Sequence, residues 1–92
     1  MTNSQVEVLL SKQLGVQIAR RRHELALSQE ALAEAVGISA NHIQLLESGL
    51  SDRKKRSPAN PRLNTLVALS RALQLPLTEL IGNAVRGADL AD

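Results

Sequence analysis

Apolar side chains recur three and four positions apart through most of this sequence, the spacing that aligns one face of an α-helix. Val6, Leu9, Leu10 and Leu14 show it first, with Asn3 or Ser4 available as a cap. Residues 1–11 are therefore expected to form an N-terminal helical extension, either a separate short helix or a lengthening of the next. Residues 12–26 carry Leu14, Ile18 and Leu25 as an apolar stripe, with Arg20, Arg21 and Glu24 on the outer side. Residues 29–36 and 40–48 predict two further helices. Residues 50–60 have little apolar content and four consecutive cations, and they predict a loop. Asn60 followed by Pro61 predicts a helix start with proline at the first helical position. Leu63, Leu66, Val67, Ser70 and Leu73 then continue with helical spacing. Leu75-Pro76-Leu77 interrupts them. Thr78 to Ala84 are expected to form a last short helix with Leu77, Leu80 and Ile81, and residues 86–92 a frayed tail. The expected organisation is one domain over residues 12–85 between the extension and the tail.

The densest pattern lies over residues 28–49. Ser28 suits an N-cap, because its hydroxyl can accept a free backbone N–H of the first turn. Glu30 lies at the positive end of the helix dipole. Leu32, Ala33 and Val36 share one face, and the small Ala33 allows a second helix to cross closely. Gly37 suits a left-handed helix end, Ile38 plugs the turn, and Ser39 caps the next helix. Ile43 and Leu46 then face inward against Ala33 and Val36. Ala40, Asn41, Gln44 and Leu45 point outward. Two helices joined this way are either an ordinary helical hairpin or a helix-turn-helix, whose second helix is shaped to enter the major groove of DNA. The agreement of Leu32, Ala33, Gly37, Ile38, Ile43 and Leu46 favours the second.

Composition narrows the picture. The 92 residues suffice for one small core. The sequence contains no Cys, Phe, Trp or Tyr, so neither a disulfide nor a thiolate metal site is available, and the core must be aliphatic. Aliphatic cores suit close-packed helices, so the expected fold class is all-α. No apolar run has the length of a membrane span and no secretory signal is visible, so a cytoplasmic protein without membrane contact is expected. The net charge is only +2, but it is unevenly spread. Residues 1–36 carry four basic and four acidic side chains, residues 37–71 six and two, and residues 72–92 one and three. Positive charge thus gathers on and after the 40–48 helix, where phosphates would want it.

These residues resemble the lambda-repressor-like, Cro/C1-type (XRE) helix-turn-helix regulators. The resemblance covers roughly residues 13–82, through Leu14-Gly15 and Ile18, Arg22, Leu27 to Ala33, Val36 to Ser39, Ile43, Leu46 to Gly49, Asn60-Pro61, Leu63, Leu66, Leu69, Ala72-Leu73 and Leu77 to Leu80. It implies a five-helix bundle. It implies that Gln29 contacts a backbone phosphate, and that Arg22 pairs with Glu47 to tie the first helix to the reading helix. It also implies base contacts from Ala40, Asn41, Gln44 and Leu45, since Asn and Gln bond adenine in two places and apolar groups touch the thymine methyl. Ser28, Ser39 and His42, with Arg53, Lys54, Lys55 and Arg56, complete the expected phosphate contacts. The sequence departs from the family pattern in several places. Leu45 and Leu50 stand where polar or basic residues are common, Gln74 stands for a helix-ending Gly and Pro76 for a cap Ser. The basic loop is longer than usual.

The implied function is sequence-specific DNA binding by a transcriptional regulator, a repressor acting as a homodimer. Val6, Leu9 and Leu10, or Leu77, Leu80 and Ile81, are the candidate dimer faces. The alternative is an antitoxin-like module with a protein partner. An enzyme is not expected, since no nucleophile–base pair or phosphate-binding glycine loop is present. No cofactor is expected, and no metal either, because the histidines are only His23 and His42 and no carboxylate cluster joins them.

Overall fold

The computed structural model describes residues 2–90. Five helices and one small hairpin follow in order: α1 (Asn3–Glu24), α2 (Gln29–Val36), α3 (Ala40–Glu47), β1 (Leu50–Asp52), β2 (Ser57–Pro58), α4 (Leu63–Ala72) and α5 (Leu77–Gly87). The five-helix architecture agrees with the expected fold. Of the two alternatives for the N-terminal extension, the second holds: it lengthens the following helix into one continuous α1. Its cap is Thr2, outside the expected pair: Thr2 Oγ1 accepts the Gln5 N–H, and the Gln5 side chain accepts the Thr2 N–H at 2.8 Å.

The core is aliphatic throughout. Ile18, Leu32, Ile43, Leu69, Leu73 and Leu80 are its largest fully buried side chains, one or more from every helix. Leu80 lies wholly inside and Ile81 packs against the core, so the second apolar face suggested for dimerisation is largely taken up by folding; of the first, Leu10 packs against the core while Leu9 stays exposed. Ser11 is buried too, and its hydroxyl donates to the Ala59 carbonyl at 2.7 Å. That bond ties α1 to the segment leaving the hairpin.

Three local expectations are corrected. The 50–60 segment contains a two-stranded antiparallel hairpin, with Leu50 opposite Pro58 and Asp52 opposite Ser57 across a bulge. Pro58 is tolerated because a two-stranded sheet has only edge strands. Second, α4 begins at Leu63 with Arg62 at its cap, two residues beyond Pro61. Pro61 therefore precedes the helix, and Leu63 is exposed instead of buried. Third, α5 runs to Gly87, and Ala88 is buried behind it. The Leu90 N–H bonds the Val85 carbonyl at 3.0 Å, so residues 86–90 close the helix, where a tail was expected. Residues 91 and 92 of that expected tail lie outside the described residues.

Candidate nucleic-acid interface

The helix pair α2–α3 forms as its caps direct. Ser28 Oγ accepts the Ala31 N–H and Ser39 Oγ accepts the His42 N–H, each at 3.0 Å. Gly37 sits at φ +86°, a conformation that costs an L side chain about 1–2 kcal/mol, and no heavy atom crowds the place of its missing Cβ. Here glycine answers a backbone requirement alone. Leu32 and Ala33 of α2 are buried with Ile43 and Leu46 of α3, which leaves the opposite face of α3 outward. On that face Asn41, His42 and Gln44 are exposed, and Ala40 and Leu45 are half-buried. Ala40 also packs against the core, so it contributes to support as well as surface.

Arg22 and Glu47 lock α3 to α1. Arg22 Nε donates to Glu47 Oε2 at 2.6 Å and Arg22 Nη2 to Oε1 at 3.0 Å, a two-point pairing. Both side chains are about a tenth exposed. The Glu47 hydrogen bond raises the Arg22 pKa above its ordinary value against the opposing effect of burial, so the guanidinium stays charged. A third Arg22 nitrogen, Nη1, donates to the Leu27 carbonyl at 2.9 Å. Gln29 joins the same group: its Nε2 donates to Glu47 Oε1 at 3.0 Å. In the free protein, then, the expected phosphate ligand is held by the carboxylate that ends α3.

Close approach makes this geometry available. A Cβ on Gly15 would lie 2.5 Å from the Leu46 carbonyl oxygen and 2.6 Å from that of Glu47. The absent side chain lets α1 pass directly over the last turn of α3. Gly15 belongs to the residues that carry the family resemblance, but its role in the crossing has no local signal beyond a glycine within an apolar helical stripe. Arg21, expected on the outer surface, also has a structural role. Its Nε donates to the Leu73 carbonyl at 2.8 Å and covers the end of α4, where Gln74 takes φ +55°.

The hairpin stands beside the outward face of α3. Asp52 Oδ1 accepts the Lys54 and Lys55 N–H groups at 2.8 and 3.0 Å, and the Arg56 N–H bonds the Asp52 carbonyl at 2.8 Å. That turn carries Arg53, Lys54, Lys55 and Arg56, all exposed. Among the described residues the ion pairs are Arg21–Glu24 and Arg22–Glu47, so these four cations have no carboxylate partner. Arg53 reaches back to α3, where its Nη2 donates to Gln44 Oε1. The predicted base-contact and hairpin residues are thereby brought into one surface, with His42 on the same helix. Gln29, at the start of α2, reaches the end of α3 through Glu47, and Ser28 precedes it as the α2 cap. The Arg53–Gln44 contact had no signal in the sequence, because it depends on how the hairpin folds back.

The profile of the helix-turn-helix domain family matches residues 13–80, more than half of the chain. The chain belongs to the helix-turn-helix domain family. Two crystal structures of the clp gene regulator ClgR from Corynebacterium glutamicum share its fold. One has a TM-score of 0.74 at 23% identity, covering 91% of this chain and 81% of the ClgR chain. The other has a TM-score of 0.68 at 22% identity, covering 85% and 91%. No curated protein sequence matches. No helix among the described residues is long and apolar enough to cross a membrane.

Proposed function

We propose that this helix-turn-helix protein is a transcriptional repressor that binds a specific double-stranded DNA site as a homodimer, with α3 in the major groove. One observation carries the reading: Asn41 and Gln44 stand exposed on α3, and Arg53 of the exposed four-cation hairpin turn reaches Gln44. Asn41 and Gln44 supply donors and acceptors for base edges, and Ala40 and Leu45 supply apolar contact for thymine methyls. Ser28 and Ser39 keep their hydroxyl protons free to donate to phosphate while their oxygens cap the helices. Gln29 retains a second amide hydrogen for a phosphate, and His42, Lys54, Lys55 and Arg56 add further contacts. ClgR is described as a gene regulator, which agrees with this role.

A single copy covers little DNA, so two copies reading half-sites roughly 34–36 Å apart would supply usable affinity. Val8 and Leu9, exposed on the first half of α1, offer an apolar surface for the second copy. Sedimentation at micromolar concentration, with and without DNA, tests the dimer.

Selection of bound fragments from a random DNA library tests the function. The expected result is a two-fold symmetric consensus that is lost in an Asn41→Ala, Gln44→Ala variant of unchanged melting temperature. Failure of the intact protein to retard any fragment at low salt would refute the proposal.

A further inference from the structure

We infer that Arg53 is a specificity-determining residue, which orients the Gln44 amide and so sets the base that α3 prefers. The inference rests on the DNA-reading role proposed above for α3. Arg53 Nη2 donates to Gln44 Oε1, and among the described residues neither side chain makes another hydrogen bond. Both are exposed, so the contact contributes nothing evident to the core. The backbone that carries Arg53 is nevertheless fixed. Asp52 holds the turn through its side-chain oxygen and its carbonyl, with three bonds of 2.8 to 3.0 Å to the residues just beyond Arg53. The hairpin therefore presents Arg53 to α3 from a set position.

The chemistry of the pair differs from that of glutamine alone. An unrestrained glutamine matches adenine, since Oε1 accepts from N6 while Nε2 donates to N7. Here the guanidinium draws Oε1 toward the hairpin, and the amide geometry turns Nε2 away from it. Oε1 keeps one lone pair, drawn toward the hairpin, and the groups left wholly free for a base edge are Nε2 and the other Arg53 N–H groups, which are donors. Guanine offers two acceptors, N7 and O6, and satisfies that surface. Adenine offers one acceptor and one donor, and its N6 must share Oε1 with the guanidinium. The pair consequently favours guanine at the base step that Gln44 meets. Removing Arg53 frees Oε1 and returns Gln44 to adenine.

The test uses the whole chain as wild type, Gln44→Ala, Arg53→Ala and Arg53→Lys, each selected against a random DNA library. Affinities are then measured for the preferred site and for single-base exchanges at several salt concentrations. The wild type is expected to enrich guanine at a position whose preference disappears in Gln44→Ala. Arg53→Ala is expected to shift relative affinity at that one position toward adenine by at least about five-fold, the lower end of what one good base contact discriminates. Arg53→Lys should restore only part of the guanine preference, because a point charge lacks the planar fork. Melting temperatures should not change. If Arg53→Ala weakens every sequence equally and lowers the salt slope by about 1, Arg53 is a phosphate contact and the inference is overturned. If the wild type enriches no sequence at all, the DNA-reading role of α3 falls, and this inference with it.

Discussion

Gly15→Ala offers a test of sign as well as size. Replacing an interior helical glycine with alanine ordinarily stabilises by about 0.8–1 kcal/mol, because glycine loses more backbone freedom on folding. The structure reverses that expectation. The new methyl would meet the Leu46 oxygen at 2.5 Å, the Glu47 oxygen at 2.6 Å and the Glu47 carbonyl carbon at 2.8 Å. All three are backbone atoms of α3, so no side chain can rotate aside. Relief requires α1 and α3 to separate, which disturbs the buried Leu46 and stretches the Arg22–Glu47 pair. Overpacking of this kind costs about 1–3 kcal/mol, and rigid neighbours favour the upper end. Net of the propensity gain, the expected loss is about 2 kcal/mol, or roughly 8–16 °C in melting temperature for a domain of this size. Circular-dichroism melts and urea titrations of the two proteins measure it. DNA affinity should also fall at a temperature where the variant remains folded, because α3 has moved. An unchanged or raised melting temperature would refute the close-approach argument outright.

Other consequences are equally open to measurement. Glu47→Ala leaves Arg22 nearly buried without its carboxylate and releases Gln29, so a loss of about 3 kcal/mol is expected in a urea titration; a change below about 1 kcal/mol would mean that the pair behaves as a solvent-exposed one. Gln74 holds φ +55° and its side chain bonds nothing among the described residues, so Gln74→Gly should raise stability by about 0.5–1 kcal/mol, after the added freedom of the unfolded chain is set against the relieved strain. Changing Lys54, Lys55 and Arg56 together to Ala should leave the melting temperature unchanged. It should also lower the slope of log affinity against log salt by about 2–3, and an identical slope would show that these cations touch no phosphate.

Much of the architecture was legible because it follows from local rules. Helical spacing of leucines, the serine caps and Gly37 each act within a few residues of their position, so the sequence alone determined α2, α3 and the turn between them. The aliphatic composition pointed to a core built mainly from helices, to which Ala59 is added from the segment leaving the hairpin. The Arg22–Glu47 pairing was legible through family resemblance, since nothing local links residues so far apart in the chain. What could not be read locally shares a cause. Ser11, Gly15 and Arg21 carry ordinary helical signals, yet their roles come from what crosses them: the Ala59 carbonyl, the last turn of α3 and the end of α4. The basic segment read as a loop because its strands are too short to show alternation. It becomes a hairpin through its own turn bonds and through the packing of Ala59 into the core. Which outward residues touch each other was likewise decided only in three dimensions. Gln44 and Arg53 meet because the chain reverses after Gly49, and a contact made by reversal has no period along the sequence from which it could be read.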